Sequence, residues 1–269
     1  MEPPVHGPVS WSVRATGASD VGRRRQQQQD RSLLDPERKL FIVSDGMGGR
    51  QAGEVAAQAV VTVLPALLEH GLERTSGSGI EKRERVLRES IVELSQHLRT
   101  ESTGRVGLHG LGATVVVAWL YDAQVSLAHL GDSRLYLFRA DRLLPLTEDH
   151  SVVTLLRQRG EITPEEARTH PARGQLTRYV GMEGEVTPVV QTVPLLSGDR
   201  LLLCTDGLTS LVPDKHIAQI LLTSPQAEAA CQALVHAANT AGGKDNTTVL
   251  IIDCIVDYHG SQLFPGDAT

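Results

Sequence analysis

Aromatic residues are scarce in this chain: Phe, Trp and Tyr make up 3% of its 269 residues. A core must therefore be filled mainly by Leu, Val, Ile and Ala, and interleaved aromatics for stacking nucleic-acid bases are missing. Cysteine is also rare. Cys204, Cys231 and Cys254 are an odd number without metal-type spacing, which argues against a cysteine metal site. Cys204 and Cys254 fall in apolar strand-like runs, where a reduced thiol is a small hydrophobe, so a reducing, cytoplasmic setting is expected. Basic residues are outnumbered, 26 against 32 acidic, and a net charge of −6 argues against general affinity for nucleic acid or an anionic membrane. The apolar stretch around "LGATVVVAWLY" is far short of the roughly 20 residues a spanning helix needs, so no membrane insertion is expected. The N-terminus, "MEPPVHGPVS", has neither the basic start nor the apolar centre of a secretory signal.

What remains is 41% apolar and 22% charged, enough to bury a substantial core. One domain is expected over 9–256, between a proline-bearing tail at 1–8 and a C-terminal tail at 257–269. "VSWSVRATG" alternates as a strand does, and "RKLFIVSDGMGG" reads as a buried strand ending in a Gly-rich turn. "QAGEVAAQAVVTVLPALLEHG" has helical spacing and is expected to close at His70-Gly71. A second helix is predicted over about 80–102, with Val86, Ile91, Leu94 and Leu98 on one face, pairing with the first as an outer layer. From 112 to 146 four strand patterns follow at meander spacing, and sequential antiparallel pairing is expected. A charged helical excursion over 147–180 includes Thr163 as an N-cap before Pro164. Two strands, helices at 213–223 and 225–241, and a last strand "NTTVLIIDCIV" complete the chain. This order predicts an α+β fold, two mainly antiparallel sheets packed together with helices outside.

Four aspartates stand where an apolar strand meets a tight turn: Asp45 in "FIVSDGMGG", Asp132 in "AHLGDSR", Asp206 in "LLLCTDGL" and Asp245 in "GGKDNTTV". Each alone is an ordinary turn residue. Together, at strand ends on one side of a sandwich, they can converge, and carboxylates that close repel unless a divalent cation lies between them. An all-oxygen set suits Mg²⁺ or Mn²⁺ rather than zinc. A pair of such ions suits phosphomonoester hydrolysis. The substrate phosphate then needs a planar cationic clamp, which arginine supplies. The stretch "VGRRRQQQQDR", residues 21–31, reads as a basic linker, a polyanion patch or the edge of such a site.

The segments "DGMGGRQAGEVAA", "GATVVVA", "HLGDSRLY", "LTEDHS", "LTRYVG", "LLLCTDGL" and "GGKDNTTVLII" occur in that order. With them the chain resembles, over roughly residues 10–255, the metal-dependent serine/threonine phosphatases of type 2C (PPM), most closely their bacterial branch. The resemblance implies a four-layer α-β-β-α sandwich with two Mn²⁺ or Mg²⁺ ions at one end. It implies that Asp45 bridges the ions, that the Gly46 carbonyl binds the first, and that Asp206 and Asp245 bind the second. Asp132 is implied at a weaker third site. The family's motif R-x-x-N-x-D aligns its arginine on Arg25 as phosphate clamp and its aspartate on Asp30, an outer group orienting water. Its asparagine falls on Gln28, one methylene longer. Met47 stands where animal members carry a histidine proposed as the acid, and a thioether cannot serve as one.

The leading expectation is thus a phosphatase that hydrolyses phosphoserine and phosphothreonine by direct attack of a water or hydroxide bridging the two ions, without a phosphoenzyme. Phosphorylated proteins, Ser/Thr kinases and their substrates are the implied counterparts of a monomer. The alternative is a catalytically impaired pseudophosphatase acting as a phosphoprotein-binding or regulatory module, favoured only by Gln28. Nucleic-acid binding through Arg23, Arg24 and Arg25 fails on the acidic context. His150 and His170 are expected to cap or pack, Thr114 to be a strand residue near the core, and Ser133 and Arg134 to bond around Asp132 or to fix its turn.

Overall fold

The structure, a computed structural model, describes residues 9–49, 52–103 and 110–258. The predicted tail at 1–8 lies outside the described residues; of the C-terminal tail expected at 257–269, residues 257 and 258 belong to the last strand and the rest lies outside the described residues. The first half runs β1 (Val9–Asp20), β2 (Asp30–Asp35), β3 (Leu40–Met47), α1 (Ala52–Arg74), α2 (Gly79–Ser102), β4 (Gly112–Ala113), β5 (Val115–Tyr121) and β6 (Gln124–Leu130). Next come β7 (Arg134–Arg139), β8 (Arg142–Pro145), α3 (Val152–Gln158), α4 (Pro164–Thr169), β9 (Val189–Pro194) and β10 (Arg200–Cys204). The chain ends with α5 (Asp206–Thr209), α6 (Asp214–Thr223), α7 (Ala227–Thr240) and β11 (Thr247–Tyr258). One sheet has the order β1-β11-β10-β7-β8 and the other β2-β3-β5-β6-β9, with β4 beside β3. All these pairings are antiparallel.

Period-two alternation sends successive side chains of each central strand to different cores. On β3, Leu40 and Ile42 pack under α1 and α2, whereas Phe41 and Val43 meet the other sheet. On β10, Leu201 and Leu203 lie between the sheets, and Leu202 and Cys204 lie under α6 and α7. Three apolar layers thus separate four layers of secondary structure, the α-β-β-α order expected. The strands read as near-continuous apolar runs because both faces are covered.

Several expectations need correction. α1 does not stop at His70-Gly71 but continues to Arg74. Gly71 serves packing instead: a Cβ there would sit 2.7 Å from Val86 Cγ1, so glycine lets α1 and α2 approach closely. The four-strand meander is two hairpins in different sheets. β6 pairs with β5 and β9, and β7 pairs with β8 and β10, so the chain changes sheet at Gly131-Asp132-Ser133. Alternation cannot reveal this, since strands of either sheet are covered on both faces. "GATVVVAWL" is broken at Thr114. β2, a partly exposed strand, and α5, a single turn, had no expectation. α1, at 23 residues with a window of mean hydropathy 1.5, is long and apolar enough to cross a membrane, which "LGATVVVAWLY" is not. Its Ala56, Val60, Leu64 and Leu68 pack on the sheet, and core helices pass the same test. In the excursion Thr163 caps α4 as expected, with Glu166 returning the bond in a capping box.

Candidate active site

Five chain segments meet at one end of the sandwich. Asp30 opens β2 directly opposite Asp45 on β3, which puts both carboxylates on the same face. Asp132 stands where the chain crosses between sheets, Asp206 opens α5 after β10, and Asp245 lies in the turn before β11. Asp45 and Asp206 lie close enough for each to perturb the other's titration. The Arg25 guanidinium, half-exposed at the mouth, donates to Asp245 Oδ2 at 2.6 Å. All the aspartates expected at the site are thus brought together, and Arg25 with them.

Their charges oppose one another. Burial, then the neighbouring Asp206 and Asp245, pushes Asp30 up to about 7 against Thr248 and Thr205 hydroxyls that lower it. Asp206 rises to about 6, first by burial and then by Asp245. Asp45 and Asp132 are raised well above the usual range by burial and then by other carboxylates of the group. Asp30 Oδ1 and Asp206 Oδ1 are buried without any hydrogen-bond partner. Among the described residues no three of these side chains close on one point as a finished ligand sphere. Orphaned oxygens and mutual repulsion in an all-oxygen set are nonetheless what a hard divalent cation would relieve, so the residues fit Mn²⁺ or Mg²⁺.

This electrostatics has a measurable consequence. Asp30 and Asp206 hold protons in the fold, near pH 7 and pH 6, that the unfolded chain releases near 3.8. Without metal they therefore contribute stability at low pH that is lost as pH rises from about 4 to 7. The lowered carboxylates Asp20, Asp35 and Glu166 act oppositely, but in a window below 3.8 to 4.5. The Tm gap between Mn²⁺-saturated and EDTA-treated protein should widen by about 5 °C or more between pH 5 and pH 8. A constant gap would contradict it.

The support around the aspartates was largely invisible in the sequence. Thr114, expected merely to be a strand residue near the core, clamps Asp45: its Oγ1 accepts from the Asp45 N–H at 2.9 Å, and its N–H donates to the Asp45 carbonyl at 2.8 Å. Its hydroxyl also bonds Ser133 Oγ at 2.7 Å. Asn246, buried, accepts from the Gln29 N–H and donates to the carbonyls of Val21 and Gln27, stapling the 21–29 loop to the last turn. Gly46 presses on α1, where a Cβ would lie 2.0 Å from the Gly53 carbonyl oxygen. From the excursion, Arg173 donates to the Ser210 carbonyl at 2.7 Å, and its charge lowers Asp206.

Of the alternatives left for Ser133 and Arg134, fixing the turn is the one observed. Arg134 makes a bidentate pair with Asp149 at 2.7 and 2.8 Å rather than bonding Asp132. His150 packs as expected: it stacks on His129, its Nδ1 accepts from the Gly131 N–H, and burial pushes it down to about 3. His170 Nδ1 accepts from the Ala172 N–H. A cavity of about 780 Å³ lies beside this region, lined by Arg134, Asp149, His150 and Arg178 among others, but by none of the clustered aspartates above.

Two antiparallel sheets between helix pairs, with aspartates gathered at one end, define a known class. Residues 17–239 match the family described as Protein phosphatase 2C, and the chain belongs to that family. It is 37% identical over 244 residues to the serine/threonine phosphatase stp of Listeria monocytogenes, covering 90% of this chain and 96% of that protein. The S. agalactiae serine/threonine phosphatase superposes with a TM-score of 0.81 at 29% identity, covering 90% of this chain and 99% of that one. The catalytic domain of PstP, solved in complex with two manganese ions, superposes with a TM-score of 0.75 at 31% identity, over 91% of this chain and 100% of that one. The protein is a bacterial-type serine/threonine protein phosphatase.

Proposed function

We propose that this phosphatase hydrolyses phosphoserine and phosphothreonine in proteins by direct attack of water, using two Mn²⁺ or Mg²⁺ ions held by Asp45, the Gly46 carbonyl, Asp206 and Asp245. Asp132 serves a weaker third site. When bound, such ions make water a nucleophile at neutral pH and offset charge on the phosphoryl oxygens. The chain's own groups do the rest. Arg25, at the mouth of the cluster, donates to the phosphate oxygens and orients the ester. Asp30, with Oδ2 held by the Thr205 hydroxyl at 2.9 Å and Oδ1 uncommitted, orients the attacking water. No thiol competes as nucleophile, because all three cysteines are buried and pushed up to about 12. Buried, unpaired cysteines also support a reducing, cytoplasmic setting, where a monomer meets phosphorylated proteins such as Ser/Thr kinases and their substrates.

The observation that carries this reading is the buried carboxylate cluster with an arginine at its mouth. The impaired-module alternative rested on Gln28, and that residue hydrogen-bonds Asp30 rather than releasing it. Purified protein should cleave a phosphothreonine peptide and p-nitrophenyl phosphate with Mn²⁺ and stop with EDTA. Arg25→Ala should lower kcat/KM by about 10- to 100-fold, the worth of charge-assisted hydrogen bonds to phosphate, while still binding Mn²⁺ in calorimetry. Absence of chelator-sensitive hydrolysis, or an unaffected Arg25→Ala, would sink the proposal.

A further inference from the structure

Gln28 falls on the asparagine of the R-x-x-N-x-D motif of the family that the sequence resembles, and the structure gives it two hydrogen bonds. We infer that Gln28 is a positioning residue for Asp30, acting through the main chain and through Ser19 and Thr248, and that glutamine's extra methylene lets one amide make both connections.

The bonds form a ring. The Asp30 N–H donates to Gln28 Oε1 at 3.1 Å. Gln28 Nε2 donates to Ser19 Oγ at 2.8 Å. Ser19 Oγ and Thr248 Oγ1 lie 2.8 Å apart, on residues directly paired between β1 and β11. The Thr248 N–H in turn donates to Thr205 Oγ1 at 3.0 Å, and the Thr205 hydroxyl donates to Asp30 Oδ2 at 2.9 Å, which closes the ring. An amide N–H₂ can only donate, so Ser19 accepts it and its own proton is left to turn toward Thr248 Oγ1. Asp30 Oδ2 is thereby held, and its Oδ1 remains without a hydrogen-bond partner.

Asparagine would preserve only part of this. Its side chain can accept from the N–H two residues on, as in an Asx turn. It is shorter by one C–C bond, about 1.5 Å, and would leave Ser19 without its donor. The link from residue 28 to Ser19 and through it to β11 would then be lost. Gln28 is itself on the loop surface, away from the reacting atoms, so it acts through Asp30 and not on substrate.

This inference rests on the reading of Asp30 as the water-orienting group, and one variant separates the two. Turnover of p-nitrophenyl phosphate with Mn²⁺ would be measured for Asp30→Asn, Gln28→Ala, Gln28→Asn, Ser19→Ala and the double variant Ser19→Ala with Gln28→Ala. Asp30→Asn should lose about 100-fold in kcat, and Gln28→Ala about tenfold, the scale of losses for groups that orient a metal site. For Gln28→Ala, KM and the calorimetric Mn²⁺ affinity should stay within about twofold. Ser19→Ala should fall in the same direction, the double variant should be no worse than Gln28→Ala, and Gln28→Asn should be intermediate. An active Asp30→Asn would overturn the reading of Asp30. An inactive Asp30→Asn with Gln28→Ala unchanged per folded molecule, or multiplicative losses in the double variant, would overturn the ring. If Gln28→Ala loses its fold, Ser19→Ala and Gln28→Asn carry the same comparison.

Discussion

Asp45→Asn is expected to abolish activity while leaving the metal-free protein as heat-stable as before, or more so, at pH 8. Asp45 is half-buried in the cluster, and its carboxyl is raised well above the usual range, by burial first and then by Asp30, Asp206, Asp132 and Asp245. An amide has nearly the same shape and, like the protonated acid, carries no charge, so the backbone bonds to Thr114 need not change. What it cannot do is bind a divalent cation as an anion does. Loss of several kcal/mol of metal-derived stabilisation corresponds to about 10³-fold or more in rate. Saturating Mn²⁺ should raise the Tm of the unaltered protein, since about 2.7 kcal/mol accrues at a hundredfold excess over Kd. Asp45→Asn should show little of that rise, and should match or exceed the unaltered protein in EDTA because the amide stays neutral beside the other carboxylates without having to hold a proton. Phosphatase assays with and without chelator, beside melting curves in EDTA and Mn²⁺, test both halves. A variant that keeps a tenth of the activity, or the full Mn²⁺ shift, would remove Asp45 from the metal site.

Gly46→Ala should be a severely damaging single-methyl change. Its Cβ would stand 2.0 Å from the Gly53 carbonyl oxygen, backbone against backbone, with no flexible side chain able to yield. Gly46 is held in place by pairing with Ala113, and Gly53 by the first turn of α1. Relief requires β3 and α1 to separate, at a cost of about 3 kcal/mol or more. For a domain of this size that is a Tm about 6 to 12 °C lower, and displacement of Asp45 should weaken Mn²⁺ binding as well. Gly174→Ala is the control, because nothing lies within 4 Å of its added methyl. It should change stability by less than about 0.5 kcal/mol. Equal melting temperatures for the two variants would show that the close approach at Gly46 is not rigid.

The direct carboxylates were legible because each ends an apolar strand in a turn dipeptide, a pattern confined to a few neighbouring residues. Arg25 and Asp30 were legible only through the family motif; by composition alone their loop reads equally as linker. The hydroxyls and amides behind them left no mark. Thr205 acts on Asp30 across 175 residues and Asn246 on Gln29 across 217, and no periodicity connects such pairs. Thr114 reads in the sequence as a strand residue near the core and is buried there, but its two-way bonding to Asp45 is visible only in the fold.

Local pattern, then, determined most of the elements and the layers. Spacing of apolar residues is a property of a few consecutive positions, and it is enough to decide strand or helix and which faces must be covered. It also determined the candidate carboxylates and the reduced, buried cysteines. Tertiary structure alone decided that the chain changes sheet at Asp132, since alternation is the same for a strand of either sheet. It also decided that Asp30, Asp45, Asp132 and Asp206 gain affinity for protons, because that effect depends on distance through a poorly solvated site and not on separation along the chain. Gln28 shows both sides: its identity was plain in the sequence, and its function lies in a ring of bonds that closes only when β1, β2 and β11 meet.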